Sequence, residues 1–201
     1  MAADIRIHEI CKDDGNEAAV VKRGQGNWVG ANVQNTDWAN KTAATIRFKR
    51  AINPTVDANN PIPIPNAGTN YSYEKVLCFY MEAPPDNNIQ NFKFYTDGAI
   101  GWTGVTLHAR VVAANWSANA DATAIAQGYK IPLLTHDAGY ANAATYVVGN
   151  QLSMVAGVAQ IVAGYDNMYF GNFLYLQVGV GTTASAGTLA AETMTFAFDE
   201  A

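Results

Sequence analysis

The side chains best suited to acid–base or nucleophilic chemistry are few: three histidines and two cysteines in 201 residues. His136 precedes Asp137, a pairing in which a carboxylate can hold an imidazole as a general base. No local motif sets a nucleophile beside it. His8 and His108 fall on the polar phase of strand-like segments, next to Arg6 and Arg110, and read as solvated side chains. Cys11 and Cys78 sit in apolar-flanked stretches and read as two reduced, buried thiols. The chain has no Gly-x-Ser-x-Gly elbow, His-Glu-x-x-His, Cys-x-x-Cys or phosphate loop. Gly24, Gly26 and Gly30 miss the dinucleotide-binding spacing.

Two other patterns are candidates for binding. Asp57-Ala-Asn-Asn60, Asp86-Asn-Asn88 and Asp166-Asn167 are oxygen-rich loops of the kind calcium prefers. Asp and Asn are also ordinary turn residues, so no cofactor or metal is assigned. Trp28 and Trp38 lie in a long Asn/Gly-rich stretch, Trp102 lies between Gly101 and Gly104, and Trp116 lies between Asn115 and Ser117. Large rings in polar loops serve as protein-interface anchors, as sugar platforms, or as lids over the ends of a sandwich. Arg47 and Lys49, part of a basic N-terminal strip with Lys12, Lys22, Arg23, Lys41 and Arg50, complete the candidate interface set.

Strands must position these groups, because the dominant period is two. Ile5 and Ile7 alternate with Arg6 and His8, Ile46 and Phe48 with Arg47 and Lys49, and Phe92 and Phe94 with Asn91 and Lys93. Val105, Leu107, Ala109 and Val111 alternate with polar neighbours, and Met194, Phe196 and Phe198 repeat the pattern near the C-terminus. Val76–Met81 and Phe173–Val178 are apolar on both phases, as central strands covered on both faces would be. Tyr146–Val148 is a further strand candidate, and Ser117–Gln127 reads as a turn or two of Ala-rich helix. Pro61-Ile-Pro-Ile-Pro65 cannot feed a hydrogen-bond ladder and reads as extended.

About eight antiparallel strands with scarce helix predict one all-β domain over residues 1–201, a sandwich of jelly-roll or immunoglobulin-like type. Stretches 11–43 and 53–75 are predicted to be irregular. Twelve Lys and Arg against seventeen Asp and Glu give a net charge of −5, which argues against a nucleic-acid partner. The imbalance is regional, for no Lys or Arg follows Lys130. No apolar run is long enough for a membrane span or a signal peptide, so synthesis in the cytoplasm without export is the expectation.

A leaderless, acidic chain rich in Asn, Ala, Gly and Thr, closing on Leu174-Tyr-Leu-Gln-Val-Gly-Val180 and Thr193-Met-Thr-Phe-Ala-Phe-Asp199, resembles the structural proteins of tailed-bacteriophage virions. Capsid decoration, or cement, proteins are nearest in kind. The resemblance implies a non-enzymatic protein in the virion, bound to the major capsid protein or other virion proteins. It further implies self-association, with neither nucleic acid nor membrane as partner. A tail, baseplate or fibre component is the alternative within the virion. A lectin-like module using the loop tryptophans is the alternative outside it.

Overall fold

The computed structural model describes residues 4–10, 38–40, 45–51, 58–83, 86–112, 134–154 and 168–200. Ten strands lie among them: β1 (Asp4–Ile10), β2 (Trp38–Asn40), β3 (Thr69–Tyr71), β4 (Lys75–Ala83), β5 (Ile89–Thr96), β6 (Val105–Val112), β7 (Ala141–Asn142), β8 (Leu152–Ser153), β9 (Met168–Gly181) and β10 (Met194–Glu200). Every pairing is antiparallel. One sheet runs β2-β1-β4-β9-β6-β7, with β3 also on β9, and the other runs β10-β5-β8. The two pack together as an all-β sandwich.

The long strand β9 organises the larger sheet. β4 and β3 share one of its edges, with Leu77 opposite Leu174 and Asn70 opposite Val180, while β6 takes the other edge. Between Leu77 and Phe79 the partner on β9 jumps from Leu174 to Phe170, so β9 carries a bulge there. Gly171, at φ 73°, supplies the left-handed residue that the bulge needs.

Alternation decides the core. Leu77, Phe79 and Met81 of β4, Leu174, Leu176 and Val178 of β9, and Leu107 and Ala109 of β6 line the inner face of the larger sheet. Ile89, Phe92 and Phe94 of β5 meet them from the smaller sheet, joined by the half-buried Met194, Phe196 and Phe198 of β10. Phe79 is the meeting point. Its ring centroid lies 5.0 Å from that of Phe92 and 5.7 Å from that of Phe196, so one side chain of the larger sheet touches both full strands of the smaller one. An ion pair lies buried between neighbouring strands: Lys75 Nζ is 2.9 Å from Glu9 Oε1, and neither side chain exceeds 1% exposure. Removing one partner of such a pair leaves a charge without water or counter-ion.

Apart from the 45–51 segment, the alternating strands and the two doubly apolar ones stand as expected. Residues 171–180 of β9 and 75–79 of β4 are buried without interruption. Four readings are corrected. Residues 45–51 form no strand: Ile46 and Phe48 do pack on the core, but Lys49 is only 2% exposed. The Lys49 carbonyl accepts the Tyr73 amide, which binds this segment to the chain just before β4. The stretch 53–75 is not wholly irregular, since Thr69–Tyr71 pairs with β9. Tyr146–Val148 is a tight reversal rather than a strand, closed by reciprocal bonds between Val147 and Asn150, with Val148 exposed at its tip. Within 11–43, Trp38–Asn40 is a strand on β1. The Pro61–Pro65 segment lies outside any strand, and the expected helix at 117–127 falls outside the described residues.

Truncating the ring where the sheets meet should cost the most. Phe79→Ala is expected to lower stability by about 3–5 kcal/mol, measured by urea unfolding against the wild type.

Candidate functional site

The outer face of the larger sheet is itself covered, and its polar groups are gathered at one place. On β6 the phase opposite Leu107 and Ala109 carries His108 and Arg110, and on β9 the same face carries Tyr175, Gln177 and Gly179. Tyr71 of β3, Glu74 before β4, and Thr135–Tyr140 of the segment leading into β7 close over them.

Gln177, wholly buried, anchors that segment. Its amide nitrogen donates to the carbonyls of Ser72 at 2.9 Å and Thr135 at 3.2 Å. Its oxygen must therefore accept, so the His136 Nδ1, 2.9 Å away, carries the proton. The His136 ring lies between two phenols, stacked on Tyr71 at 4.3 Å and on Tyr140 at 5.0 Å, with His108 edge-on at 4.7 Å. Gly179 makes room for this. A Cβ there would stand 3.1 Å from His108 Nε2, Tyr71 Cε1 and Thr69 Cγ2, closer than those atoms normally tolerate.

Charge is held beside the rings. The Arg110 guanidinium lies 4.7 Å from the Tyr140 centroid and 4.9 Å from that of Tyr175, a cation between two aromatic faces. It donates to Glu74 at 3.1 Å and approaches Asp137 at 3.5 Å. Glu74, with no exposed side-chain surface, also accepts the Tyr140 hydroxyl at 2.6 Å. Burial, reinforced by the Glu74 bond, pushes the Tyr140 phenol well above its usual range, so it is a donor and not a base. Burial, then the neighbouring His136, lowers His108 and keeps it neutral near pH 7. Across the same face His8 stacks on Tyr80 at 4.5 Å, and burial followed by the charge of Arg6 pushes it down to about 4. Burial raises the Cys78 thiol, so thiolate chemistry is suppressed.

These findings revise the reading of the histidines. His8 is only 9% exposed and His108 is half-buried, because the sheet face they share is covered. The carboxylate of Asp137 engages Arg110, and the His136 Nδ1 proton goes to Gln177. No group of three or more His, Cys, Asp or Glu side chains arranged to hold a metal occurs among the described residues.

The described members of the sequence-derived interface set lie on separate segments. Trp102 is half-buried against the core, and its Nε1 donates to the Ala190 carbonyl at 2.8 Å, the posture of a lid. Trp38 lies in β2 opposite Ile10. Arg47 is half-buried and Lys49 buried, whereas Trp28 and Trp116 fall outside the described residues. Glu74, Tyr140, Tyr71 and Gln177 were not anticipated. One signal for them was present. A lone Gln in the doubly apolar Phe173–Val178 run marks a buried polar group in need of partners.

Comparison with protein-family models, with characterised proteins and with solved structures finds no match to this chain.

Two measurements test these assignments. Tyr140→Phe removes a donor from buried Glu74 and should cost about 1–3 kcal/mol in urea unfolding at pH 7. For His8, the folded value near 4 lies below the unfolded 6.5, so its neutral form stabilises the fold above pH 6.5. That contribution, roughly 3 kcal/mol in full, is lost as pH falls from 6.5 towards 4. His8→Phe keeps the stack on Tyr80 and should flatten the stability profile across that window.

Proposed function

We propose that this chain is a non-enzymatic structural protein of a tailed-phage virion, namely a capsid decoration protein seated on the outer surface of the shell. The observation that carries the non-enzymatic part is the commitment of the reactive side chains to one another. His136 is clamped between Tyr71 and Tyr140 and bonded to Gln177, while Glu74 takes bonds from both Tyr140 and Arg110. A general base needs a lone pair facing a substrate, and a nucleophile needs an open approach. Here the acid, the phenol and the guanidinium close on each other and tie the 134–140 segment to the sheet.

The virion part is supported by the low charge and the Asn-, Ala-, Gly- and Thr-rich composition. Weakly charged surfaces suit contacts repeated over a lattice, where many modest contacts together give firm attachment. The sandwich supports the same reading as a scaffold, its larger sheet being packed on both faces.

The test is copy number in gradient-purified particles by mass spectrometry, using chymotrypsin because no Lys or Arg follows Lys130. The expected result is on the order of hundreds of copies per particle, in simple ratio to the shell protein. Particles lacking the chain should then release DNA at a lower temperature. About a dozen copies or fewer would move the chain to the tail, baseplate or fibre. Absence from particles would sink the virion reading.

A further inference from the structure

We propose that β10 is a self-association edge, pairing antiparallel with β10 of a second copy about a two-fold axis at Ala197. Among the described residues β10 has a strand on one side only, the smaller sheet running β10-β5-β8. It is a regular seven-residue strand. The extra residue in its ladder belongs to β5, where Ala197 faces Lys93 and Asp199 faces Gln90, with Asn91 between them at φ 57°. Edges that stay unpaired are usually short, bulged, or broken by Lys or Pro. Met194–Phe198 has neither residue and no charge.

The side chains select the occupant and its direction. With the axis at Ala197, the midpoint of the strand, Phe196 of one copy stands opposite the partner's Phe198, and the reverse pair forms by symmetry. Both rings face inward against the core yet are half-buried. Two cross-strand aromatic pairs would extend the row already made by Phe94 and Phe196, whose centroids lie 5.4 Å apart. Asp199 then falls opposite the partner's Thr195, and Glu200 opposite its Met194. A parallel partner in the same alignment would instead set each acid beside its own copy. Charge therefore favours the antiparallel arrangement, and the product is one continuous six-stranded sheet. A seven-residue edge buries less than a standard interface of roughly 1,200–2,000 Å², so the dimer is reversible and of micromolar strength or weaker.

The inference does not depend on the virion reading, because it concerns the isolated chain. Sedimentation velocity from roughly micromolar to roughly millimolar concentration should show a monomer–dimer equilibrium. Ala197→Asp places a carboxylate across from Lys93 within the chain, which keeps the fold, but sets two acids together across the axis. It should weaken dimerisation at least tenfold with an unchanged circular dichroism spectrum. Ala197→Cys should give, on mild oxidation, a disulfide-linked dimer, since opposed Cα atoms of an antiparallel pair lie about 4.5–5.5 Å apart. Mass spectrometry of the chymotryptic peptides locates the bond at residue 197. A chain monomeric at every concentration overturns the proposal, as does a dimer that tolerates Ala197→Asp and gives no cross-link through Ala197→Cys.

Discussion

The structure depends on the burial of both faces of the adjacent pair β4 and β9. Leu77, Phe79, Leu174 and Leu176 face the smaller sheet, while Val76, Cys78, Phe173, Tyr175 and Gln177 face away from it and are no more exposed. A sheet with one dry face can place any polar residue on the other at little cost. One with two dry faces cannot, and every polar group on its outer side needs a partner. This requirement reaches outward from the central pair. It explains why His8 on β1 lies against Tyr80, and why His108 and Arg110 on β6 sit under Thr135–Tyr140. It also explains why a carboxylate as deep as Glu74 receives both a phenol and a guanidinium.

Seen this way, the His–Tyr–Arg–Glu assembly ties the segment before β7 to the outer face of the sheet. Most of its polar groups are committed to one another, the Arg110 Nε alone among its described buried side-chain atoms standing without a hydrogen-bond partner. Gln177 spends its donors on two carbonyls and its acceptor on a ring, and Arg110 divides itself between two carboxylates and two aromatic faces. Neutralising buried groups in place fixes the segment before β7 more sharply than apolar contact would, because hydrogen bonds have direction.

Much of the strand framework was legible, and the reason is local. β6 and β10 alternate throughout, and β5 does so from Phe92 onward, because one side of each meets the core, and the doubly apolar runs announced the central pair. What escaped was anything set by the layer above the sheet. His108 and Arg110 looked solvated because their phase is polar, and polarity does not say whether a face is wet. Lys49 looked outward for the same reason, yet the 45–51 segment ends in a bond to Tyr73 and not in a sheet. Glu74, Tyr140 and Gln177 lie far apart in sequence, and no spacing rule unites residues that come from one strand and two separate connecting segments.

The placement of β9 also has a consequence for how the chain acquires its shape. The strand at the middle of the larger sheet lies near the C-terminal end of the described residues, and its partners all come earlier: Val112 pairs with Phe173, Lys75 with Leu176 and Thr69 with Gly181. On a ribosome, β4 and β6 therefore emerge with the place between them still vacant. Assembly of that sheet waits for synthesis to pass Gly181, and closing such distant pairings makes for slow, late folding. Until then the apolar flanks of β4 and β6 stand open to wrong partners, so the yield of native protein should be governed by the race between chain completion and aggregation.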